Sequence, residues 1–101
     1  MNATLETLSP AAAREHMLGR QGAVLVCAYD SDQEFLENRL AGAIPLSELR
    51  REESNLERSR ELIFYCACPH DESARSRADE YRSRGFTNVK VLEGGVNGWR
   101  R

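Results

Sequence analysis

A chain of 101 residues is long enough for one domain with a core of its own, so we expect a single domain over residues 1–101. Its 14 basic and 16 acidic residues are interspersed and give a net charge of −2, which argues against nucleic acid as a partner. No apolar run approaches the roughly 20 residues of a membrane span, and the first residues do not resemble a signal peptide. We therefore expect a cytoplasmic protein with no membrane partner.

The first part of the chain alternates short apolar runs with helix signals. Residues 5–8 suggest a brief edge strand. Ser9 followed by Pro10 predicts the start of a helix that ends near Leu18, because serine is a good N-cap and proline is favoured at the first helical position. Residues 23–27, Ala-Val-Leu-Val-Cys, predict a short strand that is buried on both faces.

The middle of the chain predicts shorter elements. A short helix is expected around Phe35. Residues 43–44 predict a very short strand that Pro45 ends, because proline cannot donate to a sheet ladder. We then expect Ser47 to cap one or two turns of helix, followed by a charged surface connection over residues 50–61.

The last part predicts two more buried strands, at residues 62–65 and 89–92, with a longer helix between them at residues 73–84. Gly85 is expected to cap that helix at its C-terminus. Strands that alternate with helices favour a parallel sheet covered by helices on both faces. Cys66 follows the first of these strands directly, at the sheet edge where α/β proteins collect their chemistry. The apolar residues of the helix recur at i, i+4 and i+7: Ala74, Ala78 and Tyr81.

Four segments, taken together and in order, resemble the rhodanese-like domains. They are residues 42–45 (Gly-Ala-Ile-Pro), 62–66 (Leu-Ile-Phe-Tyr-Cys), 85–89 (Gly-Phe-Thr-Asn-Val) and 93–99 (Glu-Gly-Gly-Val-Asn-Gly-Trp). The resemblance implies an α/β fold with a five-stranded parallel sheet in the order 1-5-4-2-3 and helices on both faces. It also implies a catalytic cysteine, which by position is Cys66, that carries a persulfide sulfur from a donor to a nucleophilic acceptor.

The sequence departs from the family pattern near this cysteine. Cys27, Ala28 and Tyr29 stand in place of the Asp-x-Arg that usually follows the second strand. Phosphatases of this fold use a Cys-x5-Arg motif, and Glu72 stands where that arginine would be, which disfavours a phosphatase. The active-site loop, which we define as residues 67–73, is one residue longer than the common form. It consists of Ala67, Cys68, Pro69, His70, Asp71, Glu72 and Ser73.

The chemistry of sulfur transfer requires Cys66 as a thiolate. An ordinary cysteine, with a pKa of about 8.5, is only a few per cent thiolate at pH 7. Backbone amides of a loop that leads into a helix favour the anion without a cationic side chain. Asp71 and Glu72 oppose the anion, although we favour for Glu72 a structural role in the first turn of the following helix.

This acidic loop also bears on the sulfur donor. A small dianion such as thiosulfate is disfavoured, whereas a protein persulfide or a neutral or cationic thiol is favoured. His70 is either an imidazolium that offsets the carboxylates or an exposed residue without a role.

Three cysteines, an odd number, do not suggest a disulfide framework. Cys68 either attacks a Cys66 persulfide or forms a Cys-x-Cys disulfide, or it is a small hydrophobe that helps Pro69 shape the loop, which we favour. Cys27 ends a strand predicted to lie beside that of Cys66, so it is either a second resolving thiol or core filling. These cysteines and His70 lack the usual spacing of zinc pairs, so we predict no metal, and no cofactor is expected.

The leading prediction is a sulfurtransferase that receives sulfur from a small-molecule or protein donor and passes it from Cys66 to an acceptor thiol. The alternative is a non-catalytic module that senses redox state or binds another protein, using the thiols of Cys66, Cys68 and Cys27.

Overall fold

The structure is a computed structural model that describes residues 5–19, 22–67 and 70–100. Four strands form one sheet in the order β1-β4-β3-β2, and every pair is parallel. β3 and β4 are central and buried along their whole length, as their uninterrupted apolar sequences predict. The strands lie within one residue of the predicted bounds or inside them: β1 (Glu6–Leu8), β2 (Val24–Cys27), β3 (Leu62–Tyr65) and β4 (Val89–Leu92).

The predicted fifth strand is not present among these residues, so the five-stranded order is not confirmed. Ile44 instead forms an isolated parallel bridge with Val26. The Ile44 amide donates to the Leu25 carbonyl (2.9 Å), and its carbonyl accepts from the Cys27 amide (3.0 Å). The ladder stops there because Pro45 follows and the chain turns into a helix at Leu46.

In the part of the chain that the structure describes, five α-helices surround the sheet, together with a short 3₁₀ helix (Glu53–Asn55). Ser9 caps the first helix as predicted, since its Oγ accepts from the Ala12 amide at 3.1 Å. The last helix, which is rich in glycine, was not predicted from the sequence. The helices are α1 (Pro10–Met17), α2 (Asp32–Glu37), α3 (Leu46–Glu52), α4 (Glu72–Ser83) and α5 (Gly95–Trp99).

The predicted capping role of Ser47 is wrong. Pro45 occupies the N-cap position of α3, and no side chain caps this end. Ser47 lies inside the helix, where its Oγ donates to Asp32 Oδ1 at 2.7 Å. α3 is also longer than expected, because Leu46 and Leu49 are both buried and anchor it to the sheet.

The two faces of the sheet carry separate cores, because successive residues of a strand point to opposite faces. The α4 core contains, among others, Val26, Phe64, Cys66 and Val91 packed with Ala74, Ala78 and Tyr81 of α4. The α1 core contains Leu25, Cys27, Ile63, Tyr65 and Leu92 packed with Ala13 of α1 and Val96 of α5. The prediction of helices on both faces is therefore confirmed.

Candidate functional site

Cys66 is the first residue after β3 and lies at the edge of the sheet where the parallel strands end. The residue is fully buried in the α4 core. Its carbonyl oxygen accepts a hydrogen bond from the Val96 amide in α5 at 3.1 Å. The position is the one predicted from the sequence: the end of a buried strand, at the start of the active-site loop.

The turn before α5 packs directly against Cys66. Gly94 and Gly95 both have positive φ angles, of 78° and 54°. A Cβ atom on Gly95 would lie 1.9 Å from the Cys66 carbonyl oxygen, which is far inside van der Waals contact. Glycine is thus required here for its conformation and for its lack of a side chain.

Asp71 joins the active-site loop to the same turn. Its Oδ2 accepts from the Gly94 amide at 3.3 Å, and the residue is buried. Its backbone is left-handed (φ 59°), a conformation that aspartate tolerates better than most residues. Asp71 occupies the N-cap position of α4, but its carboxylate makes no capping bond. Its other oxygen, Oδ1, has no hydrogen-bond partner among the described residues.

Glu72 is the first residue of α4, and its side chain is exposed. Its Oε1 accepts from the His70 amide at 3.1 Å. Hydrogen bonds from its own amide and from that of His70 hold the pKa of the Glu72 carboxyl below its ordinary value. A carboxylate that binds backbone amides at a helix N-terminus is the structural role favoured from the sequence.

The structure also describes Ala67, His70 and Ser73 of the loop. The Ala67 amide donates to the Tyr29 hydroxyl at 3.0 Å, which ties the loop to the segment after β2. His70 is exposed, and Ser73 is half-buried in the first turn of α4. Cys68 and Pro69 lie outside the described residues, and so does every prediction made for them.

Cys27 is not brought together with Cys66. The register pairs Cys27 with Tyr65, the residue before Cys66, so the two cysteines belong to opposite faces of the sheet. Cys27 is fully buried beside Tyr65, whose hydroxyl donates to the Asn38 carbonyl at 2.9 Å. Burial raises the pKa of the Cys27 thiol despite the hydrogen bonds that oppose this shift.

A cleft of about 240 Å³ adjoins the loop. It is lined by the guanidinium of Arg77, which was not predicted from the sequence as part of the site. The Arg77 Nε donates to the Ala28 carbonyl at 3.1 Å, and Nη1 contacts Glu80 Oε1 at 2.7 Å. The available signal was spacing: Arg77 is four residues after Ser73, one turn along the same face of α4. The lining residues are Ala28, Tyr29, Asp30, Glu72, Ser73, Ser76 and Arg77.

Over residues 5–19, 22–67 and 70–100, no three His, Cys, Asp or Glu side chains cluster in a way that would hold a metal ion. In the same ranges, no helix has both the length and the apolar character needed to cross a bilayer.

Comparison with known proteins identifies the family. The family model of the rhodanese-like domain matches residues 10–101. Among solved structures, the Alr3790 protein from Anabaena sp. is 29% identical, with a TM-score of 0.61 over 76% of this chain and 69% of that one. The single-domain sulfurtransferase RDL2 from Saccharomyces cerevisiae is 16% identical, with a TM-score of 0.72 over 99% of this chain and 92% of that one.

A thiosulfate sulfurtransferase from Pseudomonas aeruginosa is 21% identical, with a TM-score of 0.75, and the match covers 95% of this chain but 18% of that one. At such identities the second and third structures show a shared fold alone. No curated protein sequence matches the chain significantly. Because the family model covers nearly the whole chain, the protein belongs to the rhodanese-like domain family.

Proposed function

We propose that the protein is a sulfurtransferase in which Cys66 carries sulfane sulfur, as a persulfide, from a donor to an acceptor thiol. The observation that carries this proposal is the position of Cys66, between the end of β3 and the loop that leads into α4. Membership of the rhodanese-like family supports it, as do the sulfurtransferases among the proteins of similar fold.

The proposed transfer has two steps. The Cys66 thiolate attacks the outer sulfur of a donor persulfide; the new S–S bond forms as the donor's S–S bond breaks, and the donor leaves as a thiolate. An acceptor thiolate then attacks the outer sulfur of the Cys66 persulfide and regenerates the Cys66 thiolate. No net oxidant or reductant is needed, because one persulfide is converted into another.

The local structure supports an anionic sulfur at this point. α4 has 12 residues and begins six residues after Cys66, so the partial positive charge of its N-terminus faces the loop. Cys66 has no exposed surface in the structure, so a movement of the surrounding residues must uncover its Sγ before a donor can react. We infer that this movement precedes each transfer.

The test is intact-mass spectrometry after incubation with a panel of sulfur donors. We expect the wild-type chain to gain about 32 Da, one sulfur atom, and Cys66→Ser to gain none. Cys27→Ser is the matched control and should load normally, since Cys27 lies in the other core. If no donor loads Cys66, the proposed function is wrong.

The alternative of a redox-sensing module receives no support from Cys27. Its thiol lies in the α1 core, whereas Cys66 lies in the α4 core, and the sheet separates them. A disulfide between these two cysteines would require the backbone at the strand ends to rearrange, because the two side chains lie on opposite faces of the sheet.

A further inference from the structure

The Glu72 carboxylate is held at the place in the loop where a helix attracts anions. The N-terminus of a long helix, with its unsatisfied amide groups, binds anions readily. In this protein the His70 amide donates to Glu72 Oε1 at 3.1 Å, and the amide of Glu72 itself is a second donor. The chain thus places its own negative charge at the start of α4, in the loop that follows Cys66.

We propose that Glu72 determines donor specificity, because its carboxylate occupies these amides and so excludes small dianionic sulfur donors in favour of neutral or cationic ones. The proposal rests on the persulfide chemistry of Cys66 described above. Glu72 is exposed and also lines the cleft beside the loop, so its charge lies at the surface around the loop.

The rest of the cleft does not compensate for this charge. Asp30 adds a second carboxylate to the lining. Arg77 is the cation of the lining, but its guanidinium is already bonded to the Ala28 carbonyl and paired with Glu80. The positive charge of this surface is therefore engaged and its negative charges are exposed, which disfavours the approach of an anionic donor beside the loop.

Donor charge matters most when the bond is being exchanged. With thiosulfate, the Cys66 thiolate attacks the outer sulfur, the S–S bond of thiosulfate breaks, and sulfite leaves with the electron pair; three negative charges are present throughout. With cysteamine persulfide, the ammonium group offsets the charge of the sulfur, and cysteamine leaves as its thiolate. The Glu72 carboxylate repels thiosulfate and so slows the first reaction, whereas it leaves the rate of the second reaction nearly unchanged.

The experiment compares the wild-type chain with Glu72→Gln and with Asp79→Asn, using thiosulfate and cysteamine persulfide as donors. Glutamine removes the charge but retains an oxygen that accepts from the His70 amide. Asp79 is the matched control, because it is an exposed acid of the same helix, two turns beyond the loop. The measured quantity is kcat/KM for sulfur loading of Cys66 at low and at high ionic strength.

We expect Glu72→Gln to raise kcat/KM for thiosulfate about 10-fold and to change that for cysteamine persulfide less than about 2-fold. Asp79→Asn should change neither. The wild-type rate with thiosulfate should rise with added salt, because salt screens the repulsion, and this rise should be smaller in Glu72→Gln. A purely structural role for Glu72 would not produce this dependence on salt and donor charge.

Different failures have different meanings. If cysteamine persulfide loads Cys66 but Glu72→Gln leaves the thiosulfate rate unchanged, the specificity role is wrong and the proposed function stands. An equal gain in Asp79→Asn would also overturn it, since the effect would then follow net charge alone. If neither donor loads any variant, both proposals fail. Glu72→Ser, which keeps a hydroxyl acceptor at the helix start, provides the same test should Glu72→Gln fold poorly.

Discussion

Cys27 and Cys66 show that a difference of one residue along neighbouring strands decides on which face of the sheet each thiol lies. β2 and β3 pair Cys27 with Tyr65, so the side chain of Cys27 lies in the α1 core, and that of Cys66 lies in the α4 core. The sequence correctly predicted that their strands are neighbours, but the alternation of side chains places the two thiols on opposite faces. Cys27 is fully buried, and burial raises the pKa of its thiol, so the reactive thiolate is doubly disfavoured.

We therefore expect Cys27 to react with iodoacetamide only when the protein unfolds. Its alkylation in native buffer should be at least about 10³-fold slower than in urea, because a stable domain is unfolded for a very small fraction of the time. Peptide mapping separates its modification from that of the other cysteines. The unfolded chain in urea is the control, and comparable rates in the two conditions would contradict the burial of this residue.

Asp71 is the residue of the active-site loop whose role the sequence did not reveal. From the sequence, the charge of its carboxylate was the feature to consider. The structure adds a conformational role, because Asp71 adopts a left-handed backbone and its carboxylate accepts from the Gly94 amide. This role depends on a contact between residues that are distant in the chain. It therefore cannot be predicted from the spacing of neighbouring residues.

Cys66 and the turn before α5 are in close contact at this edge of the sheet. The Val96 amide donates to the Cys66 carbonyl, and Gly95 leaves no room for a side chain beside that oxygen. α5 thereby fixes the backbone at Cys66, immediately before the loop. A short helix of this kind is stabilised by such tertiary contacts rather than by intrinsic helix propensity.

Gly95→Ala should accordingly destabilise the protein by about 2–4 kcal/mol, because the added Cβ must displace the Cys66 carbonyl and adopt a positive φ. Chemical denaturation measures this change, and persulfide loading should slow in parallel. Gly19→Ala is the control: the nearest atom to its added Cβ is 4.0 Å away, and we expect a change within about 0.5 kcal/mol. Equal effects at both positions would contradict the steric explanation.

The sequence predicted the elements whose signals are local. β3 and β4 follow from continuous apolar runs, and α1 follows from its Ser-Pro start, so their bounds agree closely with the structure. α5 escaped prediction because two of its five residues are glycines and its stability comes from contacts with the loop. The fifth strand was predicted from apolar residues that form only one bridge.

For the site, the position of Cys66 was predictable because a strand end is visible in the sequence. Arg77 was harder to predict, because its spacing from Ser73 indicates the face of α4 on which it lies but not what it contacts. Its bond to the Ala28 carbonyl joins residues that are 49 positions apart. Such a contact depends on how α4 docks on β2, and nothing in the pattern of charges along the helix distinguishes it.

At the edge of the sheet opposite the active-site loop, Glu61 forms ion pairs that connect neighbouring elements. Glu61, just before β3, accepts from His16 Nδ1 at 2.8 Å and contacts Lys90 Nζ at 2.9 Å, which connects α1 and β4. Burial works to raise the pKa of Glu61, but hydrogen bonds from Lys90 and His16 outweigh burial and hold it below the ordinary value. The folded state therefore binds a proton at Glu61 less readily than the unfolded state does.

This shift predicts a loss of stability in acid. The contribution of Glu61 is fully present above its unfolded pKa, near 4.3, and is lost as pH falls through its lower folded pKa. We expect part of the loss in unfolding free energy between pH 5 and pH 3 to come from this residue. Denaturation curves at several pH values should show that the free energy of unfolding falls less steeply with decreasing pH in Glu61→Gln than in the wild-type chain. Glu57→Gln, an exposed acid of the same connection, should retain the wild-type dependence, and an unchanged slope in Glu61→Gln would contradict the assignment.

The complete burial of Cys66 has a consequence for the proposed sulfur carrier. A persulfide would add one sulfur atom to a residue with no exposed surface, in a densely packed interior. The side chains packed around Cys66 in the α4 core would then have to shift to hold the added sulfur. Loading would therefore alter the packing of the core as well as the chemistry of one sulfur atom.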